Sequence, residues 1–313
     1  MIKVDNTFEI NYTDQSGLSA FNRCPAKYMF SRLMGLQNSK RNTLALDYGS
    51  DMHEVLPYCY SKSTLDMAIQ MFKDRWEARG HEHDDKRNVD CAENTLYDFT
   101  NTHCDGLCPY EIQHYDIKAP TKVLISKNEV PYLIDLGGPL VHAGRVDAPV
   151  KWLADDTLWA LDYKTSGEVS NRFFSNFANC PQAIGYTLAM SQLTSQRFMG
   201  FIVEAIRVSK KNAESQLHLV HIKDHQIDSF ITFANTTASR ILLCNEKKTW
   251  PKNCAACAPY SMFGGAGYVC DYLDLCDSPD WKSMEKFYNK AEPFHPFEID
   301  TGEENANCPP ASV

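Results

Sequence analysis

Long apolar runs are missing from this chain of 313 residues. No stretch approaches the roughly 18 consecutive apolar residues that a membrane-spanning helix needs. The opening segment, MIKVDNTFEINYTDQ, has no apolar core and does not read as a signal peptide. The expected compartment is therefore cytoplasmic. An excess of positive charge is also missing. Lys and Arg total 31 against 40 Asp and Glu, for a net charge of −9. That balance excludes a broad, sequence-independent coat on nucleic acid. It leaves room for a local basic groove around an acidic metal site. No internal repeat is found, and the composition excludes collagen-like structure and wholesale disorder.

What is present is globular. Apolar residues make up 43% of the chain, enough for one large domain or two ordinary ones. A chain this long buries roughly three quarters of its unfolded surface, so disulfides are not needed for stability. The 12 cysteines then call for another explanation. In a reducing compartment, clustered cysteines read as metal or cluster ligands.

The front of the chain reads as helical. Mixed three and four spacing of apolar residues predicts helices over 18–36, 49–60, 65–79 and 92–103, with a polar loop over 80–90. From Thr121 the period changes to short alternating runs. Strands are predicted at KVLIS, VPYLIDL, HAGRVDAPVKWL and LWALDYKT. A helix follows over 173–192, strands over 198–208 and 216–222, and a long helix over 224–246. The tail TGEENANCPPASV reads as disordered.

Two acidic residues stand out on neighbouring predicted strands: Asp147 in GRVDAPV and Asp162 in LDYKTSG, with Lys164 two residues on. Residues i and i+2 of a strand share a side, so Asp162 and Lys164 project together. Two carboxylates and an ammonium at one place suit metal-assisted phosphodiester hydrolysis. A solvated strand edge is the plain alternative for D-x-K alone. Downstream, Gln182 and Tyr186 lie four apart on one predicted helix face. Upstream, His53 closes the G-x-x-x-H of GSDMHEVL.

The order of the whole set resembles the RecB-type branch of the PD-(D/E)XK nuclease superfamily. That order is a Cys-Pro helix, G-x-x-x-H, G-R-V-D, D-Y-K-T, Q-x-x-x-Y and a terminal cysteine set. It is most similar to the iron–sulfur members found in helicase–nuclease subunits, CRISPR-adaptation nucleases and phage exonucleases. The likeness runs from about Leu18 to Cys276. It implies an α/β (α+β) fold, a mixed sheet flanked by helices. It further implies that His53, Asp147, Asp162 and the Tyr163 carbonyl hold Mg2+ or Mn2+, and that Lys164 is the catalytic lysine. Gln182 and Tyr186 would contact DNA and support the site. Glu129 matches an acidic position that opens the hairpin before G-R-V-D. The chain departs from the pattern at Ser166, inserted before Gly167, and in a shortened first motif, LSAFNRCP.

On spacing alone, Cys254, Cys257, Cys270 and Cys276 suit either Zn2+ or a 4Fe-4S cluster. The resemblance groups them differently. It implies a 4Fe-4S cluster on Cys24, Cys257, Cys270 and Cys276, with CDYLDLC supplying the last two and Cys254 the alternative to Cys257. The resulting expectation has a helical region over 1–120, a nuclease core over 121–250, a cluster-binding segment over 251–290 and a tail over 291–313. The expected activity is that of a metal-dependent DNA exonuclease acting on single strands or duplex ends. Phage or mobile-element DNA processing would be its setting (in the host cytoplasm, if a phage encodes it), with recombination or replication proteins as partners. The alternative is a catalytically idle, nuclease-like DNA-binding partner protein.

Overall fold

The computed structural model describes residues 1–39, 43–80, 87–115, 128–208, 214–257 and 269–291. In chain order the N-terminal part contains β1 (Ile2–Lys3), β2 (Tyr12–Thr13), α1 (Gln15–Arg23), α2 (Pro25–Tyr28) and β3 (Leu36–Asn38). Helices α3 (Leu44–Val55), α4 (Leu65–Arg79) and α5 (Val89–Cys104) follow, then β4 (Tyr110–Ile112). The central part holds β5 (Val130–Ile134), β6 (Val141–Val146), β7 (Ala148–Trp152), β8 (Leu158–Ser166), α6 (Asn171–Ser175), α7 (Pro181–Thr194), β9 (Phe198–Arg207) and β10 (Glu214–His221). Last come α8 (Asp224–Glu246), β11 (Thr249–Trp250), α9 (Leu273–Asp277), α10 (Trp281–Met284) and β12 (Tyr288–Lys290).

A five-stranded mixed sheet in the order β10-β9-β8-β7-β4 forms the centre. Only β8 and β9 run parallel in it, and parallel neighbours need a crossover, which α6 and α7 supply. One face of the sheet carries α3, α4 and α5. Tyr48, Met52, Phe72 and Leu96 pack there against Val150, Trp159, Leu161 and Ile202. The other face carries α7 and a smaller sheet of order β2-β6-β5, with Tyr132, Val146, Ile184, Phe201 and Phe230 in the core. Cover on both faces explains why β9 is apolar almost throughout rather than alternating. A third core joins Phe21, Met29 and Phe30 to Trp250, Tyr272 and Leu275.

Several elements differ from the sequence expectation, each for a local reason. The helix expected over 18–36 begins earlier, at Gln15, where Asp14 caps the Gly17 N–H. It then breaks at Cys24, which is extended (φ −164°, ψ 114°) because Pro25 disfavours helical backbone in the residue before it. Beyond Pro25 the helix continues into one π-helical turn, Met29–Leu33. Pro181 likewise splits the helix expected over 173–192 into α6 and α7. The strand expected over 142–153 is two strands in two sheets, β6 and β7, divided at Asp147. The short strands β1, β2, β3, β4, β11 and β12 were not expected. The predicted KVLIS strand and the disordered tail lie outside the described residues.

Candidate active site

Asp147 occupies the corner where the chain leaves one sheet for the other, so its side chain stands at the seam between them. Strand β8 alternates across the central sheet: Trp159, Leu161 and Tyr163 enter the helical layer, and Ala160 enters the core on the α7 side. The same alternation sends Asp162 and Lys164 to the α7 side, next to Asp147. Asp162 is 1% exposed and Asp147 9%.

The contacts are specific. Asp147 Oδ2 accepts the Tyr163 N–H at 2.9 Å and His53 Nδ1–H at 3.1 Å. Gln182 Nε2 donates to Asp162 Oδ1 at 2.9 Å and to the Tyr186 hydroxyl at 3.1 Å. Asp162 Oδ2 meets the Lys164 ammonium. Residues His53, Glu129, Asp147, Lys164, Gln182 and Tyr186 thus line one cleft of about 710 Å³, with Asp162 behind Lys164. The structure brings together every side chain expected at the carboxylate site. Tyr163 differs from these, since its side chain is buried on the opposite face of the sheet.

Electrostatics follow from crowding. Burial raises the Asp162 carboxyl to about 6, with Lys164 pulling it down and Asp147 pushing it up. Burial also opposes the charge on Asp147, but His53, Lys164 and the Tyr163 N–H together hold that group below its ordinary value. Burial lowers His53 and Lys164, yet the two carboxylates more than compensate and both are raised. Glu129 is half-buried and paired with Arg145; desolvation raises it to about 7, with Arg145 opposing and Asp147 and Glu54 adding to the rise.

The sequence reading missed other lining residues. Arg145, Glu54, Arg32, Asp14 and Gln15 share the cleft. Arg145 sits inside the G-R-V-D motif and was open to discovery there. Arg32 had no signal, since only the break at Pro25 and the Asp14 contact at 2.6 Å bring it in.

The cysteines converge elsewhere, in the third core. Cys24 sits at the break between α1 and α2, and Cys24, Cys270 and Cys276 are buried. Cys257 packs against them and Cys254 is exposed. The Cys270 N–H donates to the Cys257 carbonyl at 2.7 Å, and the Asn253 N–H reaches Cys24 Sγ at 3.4 Å. Burial pushes the Cys276 thiol up to about 12, opposed by Lys252 and helped by Cys24, Cys257 and Cys270. Among the described residues, no group of three or more His, Cys, Asp or Glu side chains closes into a metal-holding arrangement.

Residues 15–263 match the family model of the PD-(D/E)XK nuclease superfamily. The chain belongs to that superfamily. The match spans the Cys-Pro helix, the corner at Asp147, strand β8 and α7. The mixed α/β architecture agrees with the superfamily's fold. No curated protein matches. Among solved structures, the chain is similar to a "Putative exonuclease" from Eubacterium rectale, at 16% identity and a TM-score of 0.47. That similarity covers 79% of this chain and 86% of the other. Among the described residues, no helix is long and apolar enough to cross a membrane.

Proposed function

We propose that this superfamily member is a metal-dependent DNA exonuclease that hydrolyses phosphodiester bonds on single strands or at duplex ends. The observation carrying this reading is the convergence of Asp147, Asp162 and Lys164, with Asp147 and Lys164 lining the cleft. Two buried carboxylates that repel each other are a donor set suited to a hard cation. Mg2+ or Mn2+ would be held by Asp147, Asp162, the Tyr163 carbonyl and His53. When bound, the cation supplies a more acidic water and offsets charge on the scissile phosphate. The chain's own residues do the rest. Lys164, held by Asp162, positions the nucleophile and presents positive charge to the phosphate. Gln182 keeps Asp162 in one rotamer while Tyr186 orients Gln182. His53 steadies Asp147; released from that contact with Nδ1 deprotonated, it would add a nitrogen donor and shift preference toward Mn2+.

A 4Fe-4S cluster on Cys24, Cys257, Cys270 and Cys276 belongs to the same reading. Four thiols sharing one apolar core, three of them buried, fit such a group in donor chemistry. Phage or mobile-element DNA processing, with recombination or replication proteins nearby, is the setting this activity suits.

The exonuclease claim is tested with matched linear and covalently closed circular DNA, single- and double-stranded, in Mn2+. Linear DNA should be degraded from its ends and the circles left intact. Equal attack on circles would contradict an end requirement.

A further inference from the structure

We propose that Glu204 is a positioning residue for Asp147, acting through a one-directional chain of three tyrosine hydroxyls that holds strand β8 at Tyr163. The proposal rests on the nuclease reading above for its consequence, but not for its geometry.

The chain of contacts lies on the face of the sheet opposite the carboxylates. Glu204 is 1% exposed and is the register partner of Tyr163 across the parallel pair β8 and β9. Its Oε2 accepts the Tyr110 hydroxyl at 2.5 Å, and its Oε1 accepts the Ser215 hydroxyl at 2.6 Å. Tyr110 and Tyr60 hydroxyls lie 2.8 Å apart, and Tyr60 and Tyr163 hydroxyls 2.5 Å apart. A carboxylate only accepts, which sets the sense of every bond. The Tyr110 hydroxyl donates its hydrogen bond to Glu204, so Tyr60 donates to Tyr110 and Tyr163 donates to Tyr60. Aligned bonds in a dry interior polarise and strengthen one another.

The charge has a partner. His103 Nδ1–H donates to the Phe99 carbonyl at 2.7 Å, and Nε2 faces Glu204 Oε1 at 3.3 Å and the Tyr110 hydroxyl at 3.0 Å. Burial disfavours the imidazolium, but Cys108 and Glu204 raise the group to about 10. A buried pair of this kind seldom adds net stability over apolar residues of similar size. What it adds here is direction. Tyr60 follows α3, His103 lies on α5, Tyr110 on β4 and Ser215 on β10. The network therefore ties the helical layer and three strands to one residue of β8. That residue's backbone N–H holds Asp147 at 2.9 Å.

Tyr60→Phe cuts the chain next to Tyr163 and leaves the His103–Glu204 pair in place. Tyr48→Phe makes the same chemical change in the same core, outside the network. Two readouts are compared with the wild type: turnover on end-labelled DNA in Mn2+, and backbone hydrogen exchange of residues 158–166 in the metal-free protein. Tyr60→Phe should lower kcat about tenfold, as loss of an outer-shell support does. KM for DNA should stay within about twofold, and exchange of 158–166 should quicken. Tyr48→Phe should change neither readout. Combining Tyr60→Phe with Glu204→Gln should be no worse than the poorer single variant, because both break one unit. If Tyr60→Phe does not melt cooperatively, Tyr163→Phe breaks the same contact from the other side. Wild-type exchange at 158–166 in the variant overturns the proposal, as do losses that multiply in the double variant. A wild type that cleaves no DNA refutes the nuclease reading instead, and the exchange comparison still decides the positioning link.

Discussion

A carboxylate taken out of water costs several kcal/mol unless it is paired. Asp162, 1% exposed, meets that cost with Lys164 on one oxygen and Gln182 on the other. Gln182→Ala removes the second partner without touching the charge pair. Cleavage should fall about 10–100-fold, the usual effect of losing a residue that orients a metal ligand. The melting temperature should fall by a few degrees, because one oxygen of a buried carboxylate loses its partner, and steady-state kinetics beside a melting curve check both. His142 makes a different point. It is fully buried and lined by Thr13, Gln15 and Tyr132. Gln15 Nε2 donates to its Nε2, so the ring is neutral with the proton on Nδ1. Burial lowers its pKa to about 4, with Asp14 opposing. Between about 4 and 6.5 the unfolded chain binds the extra proton and the folded one does not. The stability is thus fully present above pH 6.5 and is lost as pH falls toward 4, by up to about 3 kcal/mol. Denaturant melts of wild type and His142→Phe at pH 7 and pH 5 should show a smaller acid-induced loss in the variant. At this scale, pairs set by backbone period were legible: Asp162 with Lys164, and Gln182 with Tyr186. The Glu129–Arg145 and Tyr60–Tyr110–Glu204 contacts were not, because strand register and distant segments assemble them.

Elements were legible where one period ran without interruption. Helices α4 and α8 have the bounds their apolar spacing predicts. Strands β8 and β9 fall where their alternating and continuous apolar runs lie. Departures cluster at prolines and at the corner by Asp147, where backbone sterics and a change of sheet override the pattern. Very short strands such as β4 carry too few residues for any period to show. Gly200 shows how tightly the central elements meet. A Cβ there would stand 2.1 Å from the Val220 carbonyl oxygen, a backbone atom that cannot swing aside. Gly200→Ala should therefore part β9 from β10 and cost about 1–3 kcal/mol or more. Chemical denaturation measures it, and a variant as stable as the wild type would show that the two strands separate freely there.

For the whole molecule, the net charge of −9 argues for local rather than global attraction of DNA. The cleft supplies Arg32, Arg145 and Lys164 around its acids. The cysteines bear on how the chain ends are joined. Cys24 meets the C-terminal set across more than two hundred residues of sequence, beside a third core that already joins those segments. If a 4Fe-4S cluster occupies that set, its binding is coupled to folding. Protein purified without oxygen should then contain iron and acid-labile sulfide, and Cys24→Ser should lose both and melt lower. A wild type carrying zinc and no iron would contradict the cluster. The likeness between Cys24 and the distant CDYLDLC was legible only as a family pattern, since no local spacing links them.

The most direct test of the central claim compares wild type with Asp162→Asn in one assay. The substrate is end-labelled single-stranded DNA, with Mn2+ or Mg2+ added. Asparagine keeps the shape and the Gln182 contact but removes the charge that would hold the cation. The wild type should cleave only with a divalent cation. Asp162→Asn, equally folded, should cleave at least about 100-fold more slowly. It should bind the DNA as well or better, since one negative charge has left the cleft. Equal cleavage by both proteins, or none by a folded wild type with either cation, would contradict the account.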